Sequence, residues 1–270
     1  MLQNRYSGNA FEKRFLPRLS ALEVEQLDKE NALVILPIGA VEQHGPHMPV
    51  YTDTLIGEGL LSAALHLIPD ENVWILPSLP YGKSTEHLGM AGTMTLSAST
   101  LQAVISDIAK SVSASGFKKL LLFNTHGGNH DLLNMMARDV RIETGLNVFR
   151  LNPDYSVINS LLSEKEQKYG IHAGEVETSM VLALKEGWVN MERSPSEFVN
   201  LPDDTNHLYL KGTSYFAWVM NDISSTGVAG DATKATKEKG EQFITLVSES
   251  FASAIKEMIR FDIRTVKSSM

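Results

Sequence analysis

The residues best equipped for chemistry gather in the segment GAVEQHGPHMPVYTDT, where Glu42, His44, His47 and Asp53 fall within twelve positions. Side chains two apart in an extended segment point the same way, so Glu42 and His44 can converge on one ion while Gly45 and Pro46 turn the chain. Mixed imidazole and carboxylate donors suit zinc, manganese or iron better than magnesium or calcium, which prefer oxygen alone. A polar loop with surface histidines has the same letters, so this cluster alone does not decide the matter. NTHGGNH adds His126 and His130 where an apolar run gives way to a helical one. Its glycines could hold an anion on backbone amides. However, no lysine follows them, and the spacing fits neither the P-loop nor the dinucleotide fingerprint. GIHAGEVETSM supplies His172, Glu175 and Glu177 around a turn of small residues. PYGKSTEHLGMAGTMTLS offers Ser84, Glu86 and His87 in a glycine-rich loop that either shapes a substrate pocket or is an ordinary surface loop. His66 and His207 read as structural or exposed, and the eleven methionines as core filler.

Regular elements must hold these clusters. Residues 32–38 (ALVILPI) form an almost continuous apolar run bounded by Gly39, which predicts a strand covered on both faces. From Asp53, read as an N-cap, Leu60, Leu61, Ala64, Leu65 and Ile68 follow at helical spacing. VWIL (73–76), a long loop and a helix through Leu101, Ile105 and Val112 repeat the pattern. KLLLFN (119–124) then precedes a helix through Leu133, Met136 and Val140 ended by Gly145, and NVFRL (147–151) reads as a further strand. A helix over 175–185 and a long C-terminal helix through Phe243, Val247, Phe251 and Ile255 complete the chain. Strands alternating with helices predict an α/β fold with a mostly parallel central sheet and helices on both faces, and no linker divides residues 1–270 into more than one domain.

Composition narrows the function. At 270 residues, 43 % hydrophobic and 21 % charged, the chain is an ordinary globular sequence that can bury a large core without disulfides or a structural metal. A formal net charge of −8 disfavours nucleic acid or anionic membrane as the main partner and leaves small molecules or proteins. There is no cysteine, charges interrupt the N-terminal stretch, and no apolar run approaches the roughly 18 residues that span a bilayer. A cytoplasmic enzyme acting on a small molecule is the expectation.

Taken together, PIGAVEQHGPHMPVYTDT, PYGKSTEHLGMAGTMTL, NTHGGNH and HAGEVETSM resemble the signature segments of the creatininase family, the creatinine amidohydrolases. The resemblance spans about residues 36–184, with an echo in GVAGDATKATKEKG from Gly227. It implies a three-layer α/β/α sandwich, two divalent metal ions (Zn, Mn or Fe) per chain, hydrolysis of a C–N bond in a small substrate, and a homo-oligomer, in the family often a hexamer. Position by position, Glu42, His44, Asp53 and His126 match the family's metal ligands, with Asp53 the bridge. Creatinine-hydrolysing members resemble HxEN after the third strand, where the Glu is a ligand, and have an apolar residue at the first Glu of HAGEVETS. Here Gly128 and Glu175 stand at those positions, which implies that Glu175 supplies the fifth ligand. Three carboxylates against four positive charges then leave one charge for a metal-bound hydroxide, the expected nucleophile. His172 matches the family's proton shuttle, suited to it by an ordinary pKa of about 6.5. Glu177 either orients His172 or lies behind the ligands.

Relatives of this kind act on creatinine, formylamino-pyrimidines, peptides and keto-inositols. The family's creatinine enzymes close tryptophans over the ring in the segment before the shuttle histidine, whereas NPDYSVINSLLSEKEQKYGIH contains none; Trp74, Trp188 and Trp218 lie elsewhere. A polar cyclic amide or formamide is therefore expected ahead of creatinine itself or a sugar-like ketone. A catalytically silent metal-binding relative is the contrasting expectation.

Overall fold

The computed structural model describes residues 9–267 apart from 203, 204, 206 and 213. In chain order its elements are α1 (Asn9–Arg14), α2 (Ala21–Glu25), β1 (Leu33–Ile38), α3 (Thr52–His66), β2 (Val73–Ile75), α4 (Ala98–Ala114), β3 (Lys119–Asn124), α5 (His130–Thr144) and β4 (Asn147–Leu151). They continue with α6 (Glu164–Tyr169), α7 (Glu175–Lys185), β5 (Ser196–Glu197), α8 (Met220–Ile223), β6 (Gly230–Asp231) and α9 (Lys237–Arg260).

β1 and β3 are buried at every position, as the unbroken apolar runs require of strands covered on both faces. Alternation divides them between two cores. Leu33, Ile35, Leu121 and Phe123 pack with residues of α3, α7 and α9, whereas Val34, Leu36, Ile38, Leu120 and Leu122 pack with residues of α4 and α5. The main sheet is parallel, in the order β2-β1-β3-β4, with helices on both faces. β5 and β6 form a separate antiparallel pair, too short to leave a periodic signal in the sequence.

Register is what matters for the site. Ile38 lies beside Asn124, so β1 and β3 end level and the segments leaving them start side by side at the carboxyl edge of the sheet. α3 begins one residue before Asp53 with Tyr51 as an N-cap that makes no side-chain capping bond. Asp53 is therefore not the cap expected of it: it sits in the first turn, and its carboxylate faces His44 and His126 instead. Among the described residues, no helix is long and apolar enough to cross a membrane.

Candidate metal centre

Glu42 and His44 leave β1, Asp53 comes from the first turn of α3, and His126 leaves β3. His172 and Glu177 flank the start of α7, and a 3-10 turn at Thr85–His87 brings in Ser84, Glu86 and His87. These side chains converge in one buried knot. His126 Nδ1 lies 3.1 Å from both Glu42 Oε2 and Asp53 Oδ2. His44 Nε2 lies 3.4 Å from Asp53 Oδ1 and 4.0 Å from Glu177 Oε2. On the far side of Glu42, Oε1 is 3.5 Å from His87 Nε2 and 3.6 Å from His172 Nδ1. The two oxygens of Asp53 thus face two different histidines, the disposition a bridging carboxylate needs.

Hydrogen bonds to the outer ring nitrogens set the tautomers. His44 Nδ1–H donates to the Glu42 carbonyl (3.0 Å), His126 Nε2–H to the Lys83 carbonyl (3.1 Å) and His172 Nε2–H to the Gln43 carbonyl (2.8 Å). A carbonyl can only accept, so in each neutral ring the other nitrogen turns a lone pair toward the carboxylates. His87 differs. The Gln43 amide Nε2–H donates to its Nδ1 (2.9 Å), which leaves the Nε2–H of His87 pointing at Glu42 as a donor.

This arrangement fits cations. Glu42/His44/Asp53, Glu42/Glu86/His126, Glu42/His87/His172 and His44/His172/Glu177 each offer ligand atoms within 4.8 Å of one another. His44 Nε2 and Asp53 Oδ2 are buried, yet neither has a hydrogen-bond partner of acceptable geometry despite their short approaches. Buried polar atoms without partners are costly, and donors converging on one point are satisfied by an ion there. The electrostatics agree. Burial works against a proton on His44, but the Asp53, Glu177 and Glu42 carboxylates outweigh it and raise its pKa to about 9. His126 is raised in the same way, burial being overcome by Glu42, Asp53 and Glu86. Burial and the Asp53 and Glu42 charges hold Glu177 up, at about 7. Burial, then the neighbouring His44 and His87, pushes His172 well below its ordinary value. So much buried negative charge attracts any cation available, proton or metal.

Residues 17–255 match the model of the family described as creatininase, creatinine amidohydrolase. The chain belongs to the creatininase family. As a creatininase-family member it is an enzyme of the amidohydrolase kind. It is 28 % identical over 244 residues to a mycofactocin precursor peptide peptidase of Mycolicibacterium smegmatis, covering 86 % of this chain and 87 % of that one. It is 28 % identical over 245 residues to a creatinine amidohydrolase of Pseudomonas putida, covering 84 % and 90 %. A solved creatinine amidohydrolase matches at a TM-score of 0.74 and 25 % identity over 92 % of this chain and 98 % of its own. Solved creatininases that match at 0.73 and 0.72 include a manganese form and a Zn-Zn type, each 25 % identical and covering 91 % and 98 %.

Within this creatininase-family site, Glu42, His44, Asp53, His126, His172 and Glu177 come together, and Glu175 does not. α7 begins at Glu175, and residues two apart on a helix project about 200° apart, so only one of Glu175 and Glu177 can face the cluster. Glu175 pairs with Lys239 of α9, while Glu177 is turned toward His44 and accepts from the Ala173 N–H (2.6 Å). The carboxylate expected from Glu175 comes from Glu177. Ser84 and His87 are buried rather than lining an open lip. The Ser84 hydroxyl donates to Glu42 Oε2 and Ser84 is fully buried. Glu86 approaches His126 Nε2 at 3.3 Å. His47 hydrogen-bonds Thr178 (2.9 Å) outside the ligand groups, and the exposed His130 meets Asn152 and Arg150.

Gln43 escaped the sequence reading. Besides His87, its Nε2 faces the Gly227 carbonyl (2.9 Å) and lies 3.2 Å from His172 Nε2, so the amide sits between two imidazoles. Its place between Glu42 and His44 was the available signal. The GVAG echo gains its meaning here as well, because Ala229 pairs with His172 through backbone hydrogen bonds.

Proposed function

We propose that this chain is a divalent-metal-dependent hydrolase with two ions per chain, cleaving a C–N amide bond in a small polar substrate such as a cyclic amide or formamide. The observation that carries the reading is the pair of unsatisfied buried atoms, His44 Nε2 and Asp53 Oδ2, at the focus of the carboxylates and imidazoles. Glu42, His44, Asp53, His126 and Glu177 are the proposed ligands. Divalent ions held there would polarise a carbonyl and acidify a water.

The chain's own groups account for the rest. His172 presents Nδ1 to the centre with its other nitrogen tied to the Gln43 carbonyl, the orientation required to take a proton from the attacking water and return it to the leaving nitrogen. His87, oriented by Gln43, turns its Nε2–H to Glu42 Oε1 and steadies that carboxylate. Ser84 holds Glu42 in place. A second reading, hydrolysis of a peptide amide, draws support from the M. smegmatis peptidase relative. Leu88 and Met94, both well exposed on the loop that carries Glu86 and His87, would suit peptide side chains.

The test is elemental analysis of the purified protein, followed by a hydrolysis screen over cyclic amides, formamides, short peptides and cyclic ketones. Two divalent ions per chain and turnover of an amide are the expected result. A protein that binds no divalent metal, or that binds metal and cleaves a ketone but no amide, overturns the amide reading.

A further inference from the structure

Gly128 has a place in this site that only a residue without a side chain can fill. An ideal Cβ built on it would overlap Glu86 Oε1, the Lys83 carbonyl and His126 Nε2. The Glu86 carboxylate, arriving from the loop between β2 and α4, occupies the volume a side chain at 128 would enter. From there its Oε1 stands 3.3 Å from His126 Nε2, the nitrogen that also approaches the Lys83 carbonyl at 3.1 Å. Both neighbours can only accept, so both demand a hydrogen on Nε2 and leave the lone pair on Nδ1, 3.1 Å from Glu42 and Asp53.

We propose that Glu86 is a positioning residue for the metal site: beside the Lys83 carbonyl it holds the His126 ring from behind, and Gly128 leaves the room it needs. The proposal rests on reading the knot as a metal centre. It removes Glu86 from the open substrate wall and assigns it the role carboxylates take behind metal-bound histidines, whose loss costs about 10- to 100-fold in metal affinity. It also makes the loop holding Ser84 and His87 part of the metal site's support, because Ser84 grips Glu42 from the same turn.

Zinc affinity, measured by chelator competition, tests it on five full-length proteins: the parent, Glu86→Ala, Glu86→Gln, Gly128→Ala and the double variant of Glu86→Ala with Gly128→Ala. Glu86→Ala is expected to weaken zinc binding by about 10- to 100-fold. Gly128→Ala should lose at least as much, because its Cβ meets His126 Nε2 and the Lys83 carbonyl as well as Glu86. The double variant should lose less than the product of the two single losses, because one of the contacts that Gly128→Ala breaks is already gone without Glu86. Glu86→Gln, which keeps an acceptor oxygen, should recover much of the affinity. Affinity of folded Glu86→Ala within about threefold of the parent, well short of that range, overturns the proposal. So do additive losses in the double variant, or a Glu86→Gln variant that recovers none of the affinity. If Gly128→Ala does not fold, the two Glu86 variants decide alone. A parent that binds no zinc or other divalent ion removes the metal reading itself, an outcome distinct from a zinc-binding parent indifferent to Glu86.

Discussion

At the scale of single residues, the site turns on which atom of each side chain faces inward. Asp53 presents Oδ1 to His44 and Oδ2 to His126, and is held far below its ordinary pKa because these two imidazoles outweigh the cost of burial. Asp53→Ala should therefore abolish binding of both ions, read by elemental analysis, whereas a protein retaining about two metals per chain would remove the bridging role. Glu175 and Glu177 should separate cleanly. Glu177→Gln is expected to lower metal content and turnover together. Glu175→Gln should leave metal content intact and lose only the Lys239 contact, a partly exposed pair worth about 1 kcal/mol, or roughly 2 to 4 °C in melting temperature for a chain of this size. Metal loss confined to Glu175→Gln would restore it as the ligand. His172→Ala is expected to keep its metals while kcat falls by roughly 10² to 10⁴, the range for losing a general acid–base group. Loss of metal in that variant would make His172 a ligand instead.

At the scale of elements, the wall behind His172 is pinned by one carboxylate. Glu197, at the end of β5, accepts from the Ser224 hydroxyl (2.8 Å), the Ser225 N–H (2.7 Å) and hydroxyl (2.9 Å), and the Thr226 N–H (2.9 Å) and hydroxyl (2.5 Å). The segment so held runs on to Gly227, which receives Gln43, and to Ala229, which pairs with His172. These bonds outweigh the cost of partial burial and hold the Glu197 carboxyl down, at about 2. A depressed carboxylate contributes stability that is present above its unfolded pKa and lost as pH falls through the folded one. Glu197→Ala should thus melt below the parent at pH 7, and the gap should close between about pH 4.5, the ordinary value, and about pH 2. Turnover at pH 7 should fall roughly tenfold or more, because displaced catalytic groups lose rate steeply with distance. A gap of constant size across that window would show that the contacts do not depend on the charge. The strands that hold the site were legible in the sequence because β1 and β3 end where apolar runs end, and the segments carrying Glu42, His44 and His126 follow directly. Asp53 as a cap and Glu175 as the inward carboxylate were misread for one shared reason: motif spacing identifies a segment, but the direction of a side chain depends on where a helix begins. Gly128 is a different case, since its lack of a side chain acquires meaning only through Glu86, more than forty positions away.

At the scale of the whole molecule, the question is what closes over the carboxyl edge of the sheet. A flat ring such as creatinine gains from aromatic walls, each contact being worth about 0.5 to 1.5 kcal/mol. In this chain the aromatic residues of the segment before His172 are already committed. Tyr155 packs against the core formed with α3, α7 and α9, and burial together with the Glu177 and Asp53 charges keeps its hydroxyl neutral. Tyr169 has the Lys168 ammonium over its ring at 4.9 Å. Trp188 is half exposed and lines a cavity of about 900 Å³ with Leu55, Leu184 and Ile244, whose walls include none of the proposed metal ligands. The indole N–H of Trp218 donates to the Leu210 carbonyl (2.8 Å). Losing two such walls would cost about 1 to 3 kcal/mol in transition-state binding, roughly one to two powers of ten in kcat/KM. Creatinine is therefore expected to fall below the ordinary enzyme range of about 10⁴ M⁻¹s⁻¹, with a more polar amide or a peptide amide turned over better. Steady-state kinetics on the metal-loaded protein decide this. A creatinine kcat/KM at or above about 10⁴ M⁻¹s⁻¹ would mean that aromatic closure is either supplied from another part of the molecule or not needed. Substituting Trp218 and Tyr155 in turn would then separate those two cases, because only a residue that stacks on the ring raises KM for creatinine without raising it for a formamide.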